Sequence, residues 1–186
     1  MLPDLITIVG RYLEVIAEPT EYLSLLRWQI SQNHALNERT TMPGHVTTSA
    51  IVLSPDHKHV LLIEHIAIGR WLQPGGHYEP AASLHLSAAR EAIEETGVQG
   101  LVLHPWHGGA DIPLVIDSHD VQGKQSRGEK EHVHHDFQYL FVADPANPII
   151  AQEEEVHSAQ WKPIFELENI SPKALIRLSS IVPFRY

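Results

Sequence analysis

The chain has 186 residues, enough for one domain with a short extension and for a core that buries roughly 70% of the unfolded surface. Hydrophobic residues make up 43% and charged residues 19%, a globular balance that argues against disorder. The net charge of −10 argues against a protein that grips duplex nucleic acid by its phosphates. Because the chain has no Cys, disulfides, thiolate metal sites and a Cys nucleophile are excluded.

The first residues show no export signal. Asp4 stands where a signal peptide carries basic residues, and no small-residue cleavage site follows a clean apolar stretch. No apolar run approaches the length of a membrane span. The sequence therefore predicts a cytoplasmic protein without a membrane partner.

Residues 1–40 form a predicted helical extension that precedes a domain at 41–186. Apolar residues recur at helical spacing over 4–17, Pro19 ends the pattern, and Thr20 can cap a second helix. The apolar stripe is expected to pack on the core or on a second subunit. The second alternative would make the protein a homodimer.

From His45 onward the pattern changes to strands. Val46, Thr48, Ala50 and Val52 alternate as in a half-buried strand, and residues 60–63 can pair back as a hairpin. Further strands are predicted over 101–103, 112–116, 137–143 and 159–161, with helices over 83–96 and 172–180. Strands mixed with few helices favour an α/β fold in which helices cover a mixed sheet.

The chemistry is concentrated in residues 75–98. Ser83 is a good helix N-cap, and Gly97 tolerates the left-handed conformation that ends a helix. Glu91 and Glu95 lie four residues apart and share one face, with Glu94 beside them. The residues predicted to anchor this helix to the sheet from its opposite face are Leu86, Ala89 and Ile93.

Three carboxylates within five residues repel one another unless they share a cation. Mg²⁺ prefers oxygen ligands and often bridges to substrate phosphates. The turn at 74–76 lets the main chain approach the same place, and the rigid guanidinium of Arg90 is suited to holding a neighbouring carboxylate. The segment therefore predicts a magnesium site.

Residues Gly76–Val98 resemble the signature of the Nudix hydrolases. That pattern is Gly, five residues, Glu, seven residues, Arg-Glu, an aliphatic residue, any residue, Glu-Glu, any residue, Gly and an aliphatic residue. Every defined position matches except 82, where this chain has Ala82 instead of Glu. The motif is long and its spacing is constrained, so chance agreement is a poor explanation.

The resemblance implies an α/β/α sandwich with a mixed β-sheet. It also implies Mg²⁺- or Mn²⁺-dependent hydrolysis of the pyrophosphate bond in a nucleoside diphosphate linked to another group. By resemblance, Glu91 and Glu95 are metal ligands, Glu94 is a further ligand or activates water, the Gly75 carbonyl is an additional ligand, and Arg90 orients a glutamate. The expected partner is a small nucleotide or pyrophosphate substrate.

Ala82 motivates an alternative function. The family's Glu at this position chiefly pairs with the Arg of the motif, so Arg90 needs another acceptor, for which Glu79 and Glu94 are close in sequence. A chain without that pairing could be a weak or inactive nucleotide-binding protein or sensor.

Other residues have two interpretations each. Glu154 or Glu155 can supply the extra carboxylate that the family often takes from this region, or belong to a solvated turn. Trp106 can stack on a base. His77 or His45 can touch substrate, but no spacing between residues supports that role for either histidine. His132 and His134 point the same way in a strand and could bind a transition metal; surface histidines are the favoured interpretation of the cluster over 132–136.

Overall fold

The computed structural model describes residues 4–16, 19–79, 83–109, 112–123, 130–152, 154 and 156–182. Four α-helices lie within them: α1 (Leu5–Val15), α2 (Ser24–Ser31), α3 (Leu84–Thr96) and α4 (Pro172–Ile181). The strands are β1 (Gly44–Leu53), β2 (His59–His65), β3 (Arg70–Leu72), β4 (Gly75–His77), β5 (Val102–Leu103), β6 (Val115–Val121), β7 (His132–Val142) and β8 (Val156–Pro163). None of the described helices is long and apolar enough to cross a bilayer.

Strand β1 organises a mixed sheet of eight strands. It pairs in parallel with β7 along its whole length, from Gly44↔Val133 to Leu53↔Val142. On its other side it pairs antiparallel with β4 and, at its far end, with β2. Strands β3 and β8 extend the sheet from β2, and β5 and β6 pair with β7. The predicted hairpin of β1 and β2 is therefore present.

Both faces of the sheet are buried because helices cover each of them. Alternate residues of β1 belong to two separate apolar clusters, Ala50 and Val52 to one and Ile51 and Leu53 to the other. Helices α1, α2 and α3 cover the first cluster, and α4 covers the second. This is the layered α/β/α arrangement that the sequence predicts.

The N-terminal segment packs on the core of the same chain. Leu5, Ile8, Val9 and Tyr12 are buried in the cluster that also contains the strand residues under α3. The Tyr12 hydroxyl accepts a hydrogen bond from the backbone N–H of Ile116 at 3.1 Å. Of the two alternatives for the apolar stripe, the described residues show packing on the core.

Two predictions are wrong in detail, one about the bounds of a strand and one about the packing of a helix. The strand expected over 112–116 runs instead over Val115–Val121, since it continues through polar residues that pair with β7. Leu86 and Ile93 do not anchor α3, because each is 48% exposed. The helix packs through Leu84, Ser87, Ala88 and Ala92, whose mostly small side chains allow a close approach to β1.

Candidate active site

Helix α3 and strand β4 lie side by side on β1. Ser87 of α3 accepts a hydrogen bond from the Thr48 hydroxyl at 2.9 Å, which fixes the rotation of the helix on the strand. Ser83 occupies the N-cap position but makes no capping hydrogen bond, and the helix ends at Gly97 with a φ of 64°. With small residues facing the sheet, the adjacent flank of α3 directs Glu91 and Glu95 toward the first residues of β4.

The first two residues of β4, Gly75 and Gly76, touch two of the three glutamates. The Gly75 N–H donates to Glu95 Oε2 at 2.8 Å, and Glu95 is only 3% exposed. A Cβ at Gly76 would lie 2.7 Å from Glu91 Oε2, so only glycine allows this close approach. Glu95 is therefore buried, and its carboxylate holds the start of β4 against the helix.

Arg90 lies among three carboxylates. It donates to Glu91 Oε1 at 2.6 Å and to Glu94 Oε2 at 2.5 Å, and its Nη1 is 3.8 Å from Glu79 Oε2. Ala82 lies outside the described residues. Arg90 therefore has acceptors without a glutamate at position 82, and it offsets part of the repulsion within the acidic group.

The electrostatics of the site favour a further positive charge. Burial raises the pKa of Glu91, Arg90 lowers it, and the nearby carboxylates Glu94 and Glu79 raise it again. A half-buried carboxylate beside other carboxylates gains from a proton or a cation.

The donor set suits a hard divalent cation. The carboxylates of Glu95 and Glu91 lie beside the main chain of Gly75 and Gly76, and Glu94 is linked to them through Arg90. Oxygen donors of this kind are the ligands that Mg²⁺ and Mn²⁺ accept. The residues present therefore fit such an ion.

Comparison with known proteins gives the family. The family model described as NUDIX domain matches residues 43–180. The chain belongs to the Nudix family. A curated relative, the probable DHNTP pyrophosphohydrolase of Lactococcus lactis, is 28% identical over 163 residues, which cover 84% of this chain and 93% of the relative.

Solved structures show the same fold at low identity. The binary complex of an Ap4A hydrolase from C. elegans is 16% identical, covers 73% of this chain and 96% of that chain, and has a TM-score of 0.52. The E. coli dihydroneopterin triphosphate pyrophosphohydrolase is 13% identical, covers 74% of this chain and 94% of that chain, and also has a TM-score of 0.52. The protein is a Nudix hydrolase with the α/β/α sandwich of that family.

The remaining predicted site residues are scattered around this Nudix fold. Trp106 packs against the apolar cluster on the α4 side of the sheet, whereas α3 lies on the other side. Glu154 is exposed in a turn, and Glu155 lies outside the described residues. Just before that turn the chain is hydrogen-bonded to α3, because the Gln152 N–H donates to the Glu95 carbonyl at 3.1 Å. His77 ends β4 directly after Gly76.

A group of buried polar residues lies on β1 and β7, and sequence reasoning missed most of it. Asp136 on β7 accepts hydrogen bonds from Ser49 at 2.7 Å, Gln138 at 3.1 Å and Thr47 at 3.3 Å. Burial raises the pKa of Asp136, although the Ser49 hydroxyl lowers it. Alternating polar residues in β1 and β7 were the only sequence signal for this layer.

The close approach at Gly76 gives a direct test of the site. We expect Gly76→Ala to weaken Mn²⁺ binding at least about tenfold, because the new methyl group displaces the Glu91 carboxylate. The free energy of unfolding should change by only about 1 kcal/mol, since the clash is with the end of a flexible side chain. Calorimetric Mn²⁺ titration and urea unfolding measure the two effects.

Gly75→Ala is the contrasting variant for stability. A Cβ there would lie 2.8 Å from the Thr48 carbonyl oxygen and 2.5 Å from Ser49 Cβ, so backbone has to move and the fold should lose about 1–3 kcal/mol. Unchanged Mn²⁺ affinity in Gly76→Ala would contradict the placement of Glu91 at the metal.

Proposed function

We propose that this Nudix hydrolase cleaves the pyrophosphate bond of a nucleoside diphosphate linked to another group, in a reaction that depends on Mg²⁺ or Mn²⁺. The observation that carries the proposal is the contact of Glu95 and Glu91 with Gly75 and Gly76 at the start of β4, with Arg90 linking Glu91 to Glu94. This arrangement combines oxygen donors with a main chain that approaches closely, which is what binding a metal-complexed pyrophosphate requires.

The proposal assigns metal ligands, a proton acceptor and a residue that positions the carboxylates. Glu91, Glu95, Glu94 and the Gly75 carbonyl would hold the ion, which supplies charge compensation for the phosphate oxygens when bound. Glu94 is 51% exposed in its side chain, so it is placed to take a proton from the attacking water. Arg90 keeps Glu91 and Glu94 in position through its two short hydrogen bonds.

Glu154 is the described residue to which we assign the extra carboxylate. Its turn follows Gln152, which is hydrogen-bonded to the backbone of Glu95. Glu154→Gln should lower kcat about tenfold if this carboxylate takes part in proton transfer. An unchanged kcat would return the turn to the simpler interpretation of a solvated surface.

Turnover rather than binding alone is supported by the contacts of Arg90. The family's glutamate at position 82 is absent, yet Arg90 has Glu91 and Glu94 as hydrogen-bond acceptors and Glu79 as a further ion-pair partner. The alternative, a sensor that binds nucleotides without cleaving them, predicts recovery of intact ligand after incubation.

The test is a substrate panel with Mg²⁺ and with Mn²⁺. It includes DHNTP, for which the Lactococcus lactis relative is named, dinucleoside polyphosphates and nucleotide sugars. We expect one class to be cleaved at a pyrophosphate bond, with products resolved by ion-exchange chromatography and activity lost on chelation. Folded protein that cleaves no member of the panel with either metal would overturn the proposal.

A further inference from the structure

Five histidines meet where β1, β4, β6 and β7 come together. The ring of His134 lies 4.9 Å from that of His132, 5.0 Å from His45, 5.2 Å from His77 and 5.8 Å from His119. The register explains the gathering, because His45 of β1 and His119 of β6 both stand directly opposite His134 of β7. Directly opposed residues share a face of the sheet.

The ring nitrogens are close enough to share one ion. One nitrogen from each of His45, His77 and His134 lies within 4.8 Å of the others, and His132 Nε2 is 3.1 Å from His134 Nε2. A tetrahedral ion with nitrogen ligands at about 2.0–2.1 Å holds those nitrogens about 3.3 Å apart. Small side-chain rotations therefore suffice to close the set around an ion.

The hydrogen bonds of two rings determine which of their nitrogens can bind a metal. His45 Nδ1 donates to the Thr41 carbonyl at 3.4 Å, and His132 Nδ1 donates to the Lys130 carbonyl at 2.8 Å. In the neutral form of either ring, Nε2 therefore carries the lone pair. A backbone carbonyl that holds one ring nitrogen while the other binds metal is the usual support of a metal-ligating histidine.

His45 Nε2 is an unsatisfied polar atom within the described part of the chain. It is buried and lacks a hydrogen-bond partner there, and His45 as a whole is only 2% exposed. Burial lowers the pKa of His45 to about 4, with the His77 ring adding to the effect. Burial and the surrounding rings also lower the pKa of His134, so both rings are neutral near pH 7. A buried, unpaired lone pair is costly, and a ligand removes that cost.

The geometry points to a transition-metal site formed by His45, His77 and His134, with His132 as the adjoining fourth ligand. Imidazole donors without carboxylate oxygens select Zn²⁺, Ni²⁺ or Cu²⁺ over Mg²⁺. A cavity of about 260 Å³ adjoins His132, and its lining includes Asp120 and Glu131, whose negative charges attract cations. The site is separate from the glutamates of α3 and does not depend on the proposed hydrolysis.

Cobalt binding tests the proposal. The full chain, without an affinity tag and stripped by a chelator, is titrated with Co²⁺ in excess Mg²⁺, which keeps the glutamates of α3 occupied. We expect one Co²⁺ per chain with visible ligand-field bands that Zn²⁺ abolishes. The melting temperature should rise with Zn²⁺, because the ligands come from three strands.

Single substitutions decide where the ion lies. His77→Ala alters an exposed residue, so it should fold normally and weaken Co²⁺ binding at least about tenfold. His134→Ala should do the same, with circular dichroism to check folding. His157→Ala, at an exposed histidine of β8, is the matched control, and Glu91→Gln reports on the other metal site. No Co²⁺ bands in the wild-type chain, or bands that survive His77→Ala and His134→Ala, would overturn the proposal.

Discussion

Glu94→Gln should lower kcat by about 10²–10⁴-fold, the range that general acid–base catalysis contributes. The amide keeps the shape of the side chain and can still accept a hydrogen bond from Arg90, but it cannot take a proton from water. Glu94 is half exposed, so the free energy of unfolding should stay within about 0.5 kcal/mol of the wild-type value. Steady-state kinetics on the substrate found in the panel and urea unfolding measure the two quantities.

Glu79→Gln is the matched control for Glu94. It removes the same charge from a carboxylate that also lies near Arg90, but at 3.8 Å and with a side chain that is 68% exposed. We expect kcat within about threefold of wild type, since a distant exposed charge contributes little. Equal activity in Glu94→Gln and Glu79→Gln would show that Glu94 is not the proton acceptor. Glu95→Gln answers a different question, because Glu95 also holds the start of β4 through the Gly75 N–H.

Stability should fall as the pH drops from about 7 to about 5, with His135 contributing about 2 kcal/mol. Burial lowers the pKa of His135 from 6.5 to about 4, and the nearby rings of His45 and His119 add to the shift. The unfolded chain therefore takes up a proton below pH 6.5 that the folded chain refuses until about pH 4. The stabilisation is complete above pH 6.5 and is lost as the pH falls.

The hydrogen bonds of His135 explain why it stays neutral. His135 Nε2 and Gln29 Oε1 lie 2.8 Å apart, so the ring donates to Gln29 and leaves Nδ1 to accept from Ser118, also at 2.8 Å. His107 behaves alike, because its Nε2 accepts from the Leu140 N–H and its Nδ1 donates to the Ile112 carbonyl. Burial lowers the pKa of His107 as well, so it adds to the loss in acid.

Urea unfolding in the presence of a chelator, at several pH values from about 7.5 to about 4.5, measures the effect. Asp136 and His119 oppose it, because the pKa of each is raised. His135→Gln isolates the contribution of His135: the variant keeps a polar group for Gln29 and should lose about 2 kcal/mol of the pH dependence. The exposed His157→Gln should leave that dependence unchanged. An equal pH slope in wild type and His135→Gln would refute the assignment.

Local signals were enough for the elements that the sequence predicts well. Helix α3 has strong boundaries, with Ser83 before it and Gly97 after it, and it runs over Leu84–Thr96 as expected. The β1–β2 hairpin follows from two apolar runs around a Pro-Asp turn. Rotation of α3 could not be predicted, because the large residues Leu86 and Ile93 suggest one face and tight packing of Ser87, Ala88 and Ala92 selects another.

The histidine cluster shows the opposite case. Of the five histidines in the cluster, only His132 and His134 are close in sequence. Surface exposure was the favoured interpretation of residues 132–136, and it is wrong for His135, which is fully buried. His45 and His77 join the cluster through the parallel pairing of β1 with β7 and the antiparallel pairing of β1 with β4. Their ring contacts depend on strand order, which no local pattern specifies.

By itself, the sequence determined the family and the acidic helix, because the spacing of Gly76, Arg90, Glu91, Glu94 and Glu95 lies within one turn-and-helix segment. The tertiary structure decided which carboxylates are buried, which acceptors surround Arg90 and which histidines meet. The physical reason is that turns and helices are set by neighbouring residues, whereas burial and cross-strand contacts arise from residues far apart in the chain.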